Sequence, residues 1–237
     1  MSTTLRRRSP ARTWAAASVA ALTLGLSGCG VVGTGFQPGV AAEVGDRTVT
    51  TDRVDELVSS YCSAIEDILA QQSQVVPLGV FRSGIAGQLA LVSAAEQMAD
   101  DYDVEPSGDY GRAVADIEKQ ISDFTETQQA AVVEVEGAAT YVAAVQLSVG
   151  AKLLSEEGVA TPGPTESGER GLAAFADWLD ENGVELNPEY GISVEDAAIN
   201  TADESVSFAV GDAALQGLAD EPDPAYAASL PESQRCG

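Results

Sequence analysis

Val40-Ala-Ala-Glu-Val-Gly-Asp-Arg-Thr-Val-Thr50 runs straight into Thr51-Asp-Arg-Val-Asp-Glu-Leu-Val-Ser-Ser-Tyr-Cys-Ser-Ala-Ile-Glu-Asp-Ile-Leu69. In the first half, apolar residues alternate weakly on either side of the turn pair Gly45-Asp46, which predicts a small hairpin. In the second half the apolar period lengthens to that of a helix: Val54, Leu57, Val58, Tyr61, Ile65, Ile68 and Leu69 fall on one stripe. Thr50 stands where a hydroxyl accepts from the unpaired N–H groups of a first helical turn, and Asp52 suits the positive end of the helix dipole.

Downstream, the helical period persists. Pro77 and Gly79 close the first helix, and a second is predicted from Arg82 to about Asp101, with Ile85, Leu89, Val92 and Met98 inward. Pro106-Ser-Gly108 reads as a loop and Asp109 to Phe124 as a third helix. Gln128 to Val135 is expected to be a short helix stopped by Gly137, with another from Tyr141 to Gly158. Thr161-Pro-Gly-Pro-Thr-Glu-Ser-Gly168 has the composition of a linker or hinge. Leu172, Phe175, Trp178 and Leu179 mark a following helix ended by Asn182-Gly183. Val184–Leu186 and Val206–Val210 are strand candidates, and the tail after Asp220 is expected to be extended and irregular. The expected fold is mainly α (α+β), a bundle of amphipathic helices with a small N-terminal hairpin and one or two C-terminal strands.

Upstream, Arg6, Arg7, Arg8 and Arg12 precede an uncharged apolar run from Trp14 to Leu26. A run of this length is too short for a ~30 Å hydrocarbon core, which needs about 20 apolar residues, so it reads as a signal peptide. Leu26-Ser-Gly-Cys29 resembles the lipobox of bacterial lipoproteins, whose cysteine takes a diacylglycerol and becomes the acylated mature N-terminus. An ordinary secreted leader with an incidental cysteine is the alternative. The expected division is a signal peptide over 1–28, a lipidated tether over 29–39, a helical module over 40–160, a linker over 161–168 and a closing region over 169–237. The resemblance places the chain on the outer face of a cell membrane, held by lipid at Cys29.

Of 12 basic residues, the leader removes four, leaving 8 against 37 acids, a formal charge of −29. Such a surface repels nucleic-acid phosphates and anionic lipid head groups, so nucleic acid is not an expected partner. Histidine is absent, which removes the commonest general base and metal ligand. Cys62 and Cys236 remain as an even pair in an oxidising compartment and are expected to form a disulfide tying the tail to the first helix; two unrelated thiols are the alternative.

No motif assembles an active site. Gly28-Cys-Gly-Val-Val-Gly33 has the letters of a dinucleotide fingerprint but straddles the leader cleavage site. Asp100-Asp-Tyr-Asp103 with Glu105 has Pro106 where a calcium loop needs glycine, and a solvated helix end fits better, with a weak cation site left open. Ser148 and Lys152 lie one helical turn apart, the spacing of a serine/lysine dyad or of a plain surface pair. No catalytic residue, metal or cofactor is expected.

Ala42-Glu-Val-Gly-Asp-Arg-Thr-Val-Thr50 followed by Val54-Asp55 resembles the opening of SurA/PrsA-type chaperone domains. Val184-Glu-Leu-Asn-Pro-Glu-Tyr-Gly191 resembles the strand that closes such chains, and amphipathic helices lie between the two, as in that family. Its parvulin domain has no counterpart in the short interval around 161–168, so prolyl isomerase activity is not implied. What the resemblance implies is a non-enzymatic, lipid-anchored chaperone-like module that binds unfolded or extended polypeptides. A structural or interaction lipoprotein of the cell envelope is the competing expectation, and a small-ligand transport lipoprotein fits less well because it calls for alternating strands and helices.

Overall fold

Gly45 has φ +55°, and a Cβ built there would lie 2.6 Å from Gln97 Oε1 and 3.3 Å from Trp178 Cη2. Only glycine serves both the turn and the close approach. Around it β1 (Val40–Val44) and β2 (Arg47–Thr50) pair antiparallel, with Val44 opposite Arg47 and Ala42 opposite Val49. This computed structural model describes residues 37–202, 211–217, 219 and 222–237. Cys29, the leader, most of the tether and the expected strand at Val206–Val210 lie outside the described residues.

Thr50 Oγ1 accepts from Arg53 N at 3.2 Å, and α1 (Thr51–Gln71) follows. Its buried face is Val54, Leu57, Val58, Tyr61, Ala64 and Leu69, whereas Ile68 is 44% exposed. A short strand, β3 (Val76–Pro77), leads into α2 (Leu78–Asp101). That helix starts four residues before the expected Arg82: Pro77 occupies its N-cap position, and Gly79 is tolerated in the first turn. After α3 (Gly108–Gln120), the Thr125–Gln128 capping box opens α4 (Glu126–Glu156).

Two helices were expected in place of α4. The helix instead runs unbroken through Gly137, whose bare Cα faces the Tyr110 ring, 3.5 Å from where a Cβ would stand. Glycine weakens a helix by roughly 1 kcal/mol, a deficit that tertiary packing overrides here. The linker is a second correction: α5 (Pro164–Asn182) begins inside 161–168, with Pro164 in its first turn. It packs back along α4 as an antiparallel pair, Gly150 against Ser167 and Gly171 against Gln146.

Gly183, at φ +79°, turns the chain into β4 (Val184–Leu186). This strand joins β1 on the side opposite β2, giving the order β2-β1-β4. Asn187 strengthens the junction, its backbone N–H donating to Ala41 O at 2.8 Å and its Nδ2 to Val40 O at 2.9 Å. The two segments that resemble a chaperone opening and closing are thus neighbours in one sheet.

Beyond them a hairpin of β5 (Ile192–Glu195) and β6 (Ala198–Thr201) was not expected. It turns on Asp196 and Ala197, both at positive φ without a glycine between them. After α6 (Asp212–Gly217), the tail beyond Asp220 is not irregular: it carries α7 (Pro224–Ser229) and β7 (Arg235–Cys236), with β7 paired to β3. The register sets Cys236 against Val76. Cys236 is bonded to Cys62 of α1, with Cα atoms 5.8 Å apart.

The fold is mainly α with short strands, as expected. Phe175, Met98, Val44, Val54, Val145 and Val149 fill the centre. Alanines 41, 42, 86, 90, 94 and 95 are all buried, so main chains approach closely where larger side chains would hold them apart.

Candidate functional site

Where α1, α2, α3 and α4 diverge, they leave an apolar groove of about 400 Å³. Leu57, Ile85, Leu89, Val92 and Val133 form its floor, and Tyr110 and Tyr141 stand at one end as an edge-to-face pair with centroids 5.2 Å apart. Leu89, Val92, Glu96 and Glu134 also line a second hollow of about 330 Å³, whose other walls include Thr48, Val49 and Thr50 of the edge strand β2.

The groove follows from helix composition. By length and apolarity alone, α2 and α4 would each suffice to cross a membrane, yet only 33% and 39% of their most apolar stretches are buried in the fold. A helix apolar over most of its circumference has more greasy surface than one neighbour covers. Part of the excess faces the groove. One polar group interrupts it: Gln88 Oε1 is buried and accepts no hydrogen bond from the described residues.

The rim is charged. Arg47 bridges Glu96 and Asp100, each at 2.9 Å, and Arg53 pairs with Glu134 and Glu56. The Tyr141 hydroxyl is held above its ordinary pKa by burial first, then by the negative potential of Glu96, the neighbouring Tyr110, Asp100 and Glu105.

The acidic cluster does not gather around a common centre. Asp100 is committed to Arg47, and Asp101 accepts from Trp178 Nε1 at 2.8 Å. Among the described residues no three metal-ligating side chains converge. Lys152 Nζ donates to the carbonyl of Tyr102 at the end of α2, where a cation offsets the negative end of the helix dipole. Its proximity to Ser148 is the incidental spacing of one helix face.

A wider hollow of about 740 Å³ lies between the start of α2 and the 187–192 turn. Its walls are mainly polar, stitched by the Arg82–Asp55 ion pair at 2.9 Å and by Ser83 Oγ donating to Tyr190 O at 2.6 Å. It presents neither a nucleophile beside a base nor an apolar floor, and it opens towards Thr201, beside residues outside the described ones. The smaller groove has the chemistry of a binding site.

Sequence reasoning placed Ile85, Leu89 and Val92 on an inward face; Ile85 is buried, but Leu89 and Val92 stop short of full burial. Two signals pointed there: a glutamine inside the apolar run of α2, and Tyr110 and Tyr141 in a chain poor in aromatic residues. No family model, no curated protein and no solved structure matches this chain.

Proposed function

We propose that this protein is a lipid-anchored, extracytoplasmic, chaperone-like module that holds unfolded or extended segments of other polypeptides and has no prolyl isomerase activity. The observation that carries the reading is the apolar groove between α1, α2, α3 and α4, walled by the Tyr110–Tyr141 pair and neighboured by a hollow at the edge strand β2. An extended segment laid there covers the apolar surface of α2 and α4, and the sheet edge offers main-chain hydrogen bonds in the manner of β-augmentation. The lipobox-like Leu26-Ser-Gly-Cys29 and the two segments resembling SurA/PrsA-type domains support the same reading.

Purified mature protein is expected to suppress aggregation of a reduced, unfolded client at near-stoichiometric amounts. Suppression persists at moderate salt, because apolar burial is not screened as surface charge is. Catalysis of cis/trans exchange at an X-Pro peptide stays at background. Failure to bind any unfolded client refutes the proposal and leaves an envelope scaffold as the better account.

A further inference from the structure

The long helices differ in how they are tied down. α1 is joined to α4 by the Arg53–Glu134 pair, by the Tyr61 hydroxyl donating to Glu136 and by Gln128 Nε2 donating to Ser63 O. Trp178 Nε1 of α5 donates to Asp101 of α2 at 2.8 Å, and Arg170 of α5 pairs with Glu157 at the end of α4 at 3.1 Å. Among the described residues the polar side-chain bonds of α3 all stay inside it: Arg112 with Asp109, Lys119 with Asp116, and Gln120 with the Asp116 carbonyl. None of its 13 residues is buried. Gly108 and Gly111 lower its intrinsic helicity further. What holds α3 on α4 is an apolar stripe of Tyr110, Val114 and Ile117, three and four residues apart. Tyr110 meets the Tyr141 ring and the bare Cα of Gly137, and Ile117 packs against the core. The chain is pinned on either side, by Ser107 N–H donating to Ala144 O at 3.2 Å and by the buried Ile121. A helix of 13 residues is about 20 Å long and about 43 Å when extended, so melted α3 can leave α4 without moving either pin.

Resting on the polypeptide-binding reading, we propose that α3 is a displaceable cover on the groove, whose place on α4 a client segment takes. A segment with few buried apolar contacts and a solvent-exposed backbone opens at low free energy. With α3 closed, Tyr110 walls the groove and about 400 Å³ stays open. With α3 melted, the hollow extends over the α4 surface around Gly137 and Tyr141. What α3 itself lays there defines what that face accepts: uncharged aromatic and branched side chains along one stripe. A client binds by replacing those contacts with its own, so its apparent affinity is its intrinsic affinity reduced by the fraction of molecules that are open.

Two measurements on the full mature protein test this: amide hydrogen exchange, and anisotropy titration with labelled, reduced and carboxamidomethylated α-lactalbumin as the unfolded client. The amides of α3 are expected to exchange about tenfold or more faster than those of α4. Val114→Ser combined with Ile117→Ser loosens the cover. It is expected to speed exchange in α3 alone and to tighten client binding about fivefold or more. Trimming residues that merely wall a groove would weaken binding, so the sign separates a cover from a wall. Gly111→Ala acts the other way. Its methyl meets nothing within 4 Å, it favours the helical form of α3, and it is expected to slow exchange there and weaken client binding about threefold to fivefold. Exchange in α3 as slow as in α4 overturns the inference. So does unchanged or weaker binding by the double variant, or unchanged binding by Gly111→Ala, and each of these leaves the polypeptide-binding reading standing. Absence of client binding by the parent and both variants refutes that reading and the client's part in the inference with it, while the exchange rates still report whether α3 opens.

Discussion

Replacing Gly171 by alanine places a methyl group 1.7 Å from the carbonyl oxygen of Gln146 and 2.4 Å from its carbonyl carbon. Both obstacles are main chain, so no side-chain rotation relieves the clash, and α4 and α5 must part by roughly 1.5–2 Å. Parting them loosens the packing of Ala174 and Phe175 on α5 and of Val145 and Val149 on α4, all buried. Overpacking a core costs typically about 1–3 kcal/mol and more where nothing can yield, while alanine returns roughly 1 kcal/mol of helix propensity. The net expectation is a loss of about 2–4 kcal/mol, or roughly 5–15 °C in Tm for a chain of this size. Gly168, one turn earlier on the same helix, meets nothing within 4 Å, so Gly168→Ala should instead stabilise by up to about 1 kcal/mol. Gly150→Ala should resemble Gly171→Ala, because its methyl would lie 1.8 Å from Ser167 O. The double substitution should cost less than the two summed, since one separation of the helices relieves both. Urea denaturation of the oxidised mature protein measures all four. A Gly171→Ala variant within 1 kcal/mol of its parent refutes main-chain contact at this crossing.

Reducing Cys62–Cys236 releases a constraint on a loop of 174 residues, which the chain-entropy estimate values at about 5 kcal/mol as an upper bound. Melting with and without reductant checks it, and an unchanged transition refutes a stabilising bridge. Tyr190 is pushed up to about 12 by burial, then by Glu189 and Asp55. Tyr61 is raised by burial and its hydrogen bond to Glu136, and Tyr141 by burial and Glu96. A raised folded-state pKa means the folded chain keeps its phenol protons longer, so the associated stability is complete below about pH 10 and lost as pH climbs through 12. Thermal melts that stay flat across that window contradict this. Cys29→Ala is expected to abolish lipid labelling and membrane partition, and a wild-type chain that carries no lipid refutes the anchor.

The elements legible from sequence are those in which one signal has one meaning. Period-two alternation about Gly45-Asp46, the Thr50 cap and most of the α1 stripe carried over, although α1 ends at Gln71, short of Pro77, and Ile68 is exposed. Glycine has two meanings. At Gly183 it supplies a positive φ and ends a helix, as read; at Gly137, Gly150 and Gly171 it supplies an absent Cβ inside a helix. The same ambiguity turned the first turn of α5 into an expected linker. The Asp196-Ala197 turn carries no glycine at all, so the β5–β6 hairpin left no mark. The groove was legible only as a list of inward residues, because its hollowness depends on how four helices diverge. No single segment encodes that divergence.

The central strand of the sheet is also the first to be made. One neighbour, β2, follows at once across a two-residue turn, but the other waits until Asn187 can reach Val40, 147 residues later. The bridge from Cys62 needs the penultimate residue. Contacts of such separation make folding slow, because loop closure precedes any reward. If the chain is exported as proposed, the buried Ala41 and Ala42 would remain uncovered until β4 (Val184–Leu186) has also crossed the membrane. A leader-proximal anchor would hold this half-made sheet beside the site of emergence, at the time its open edge is most exposed to pairing with another chain.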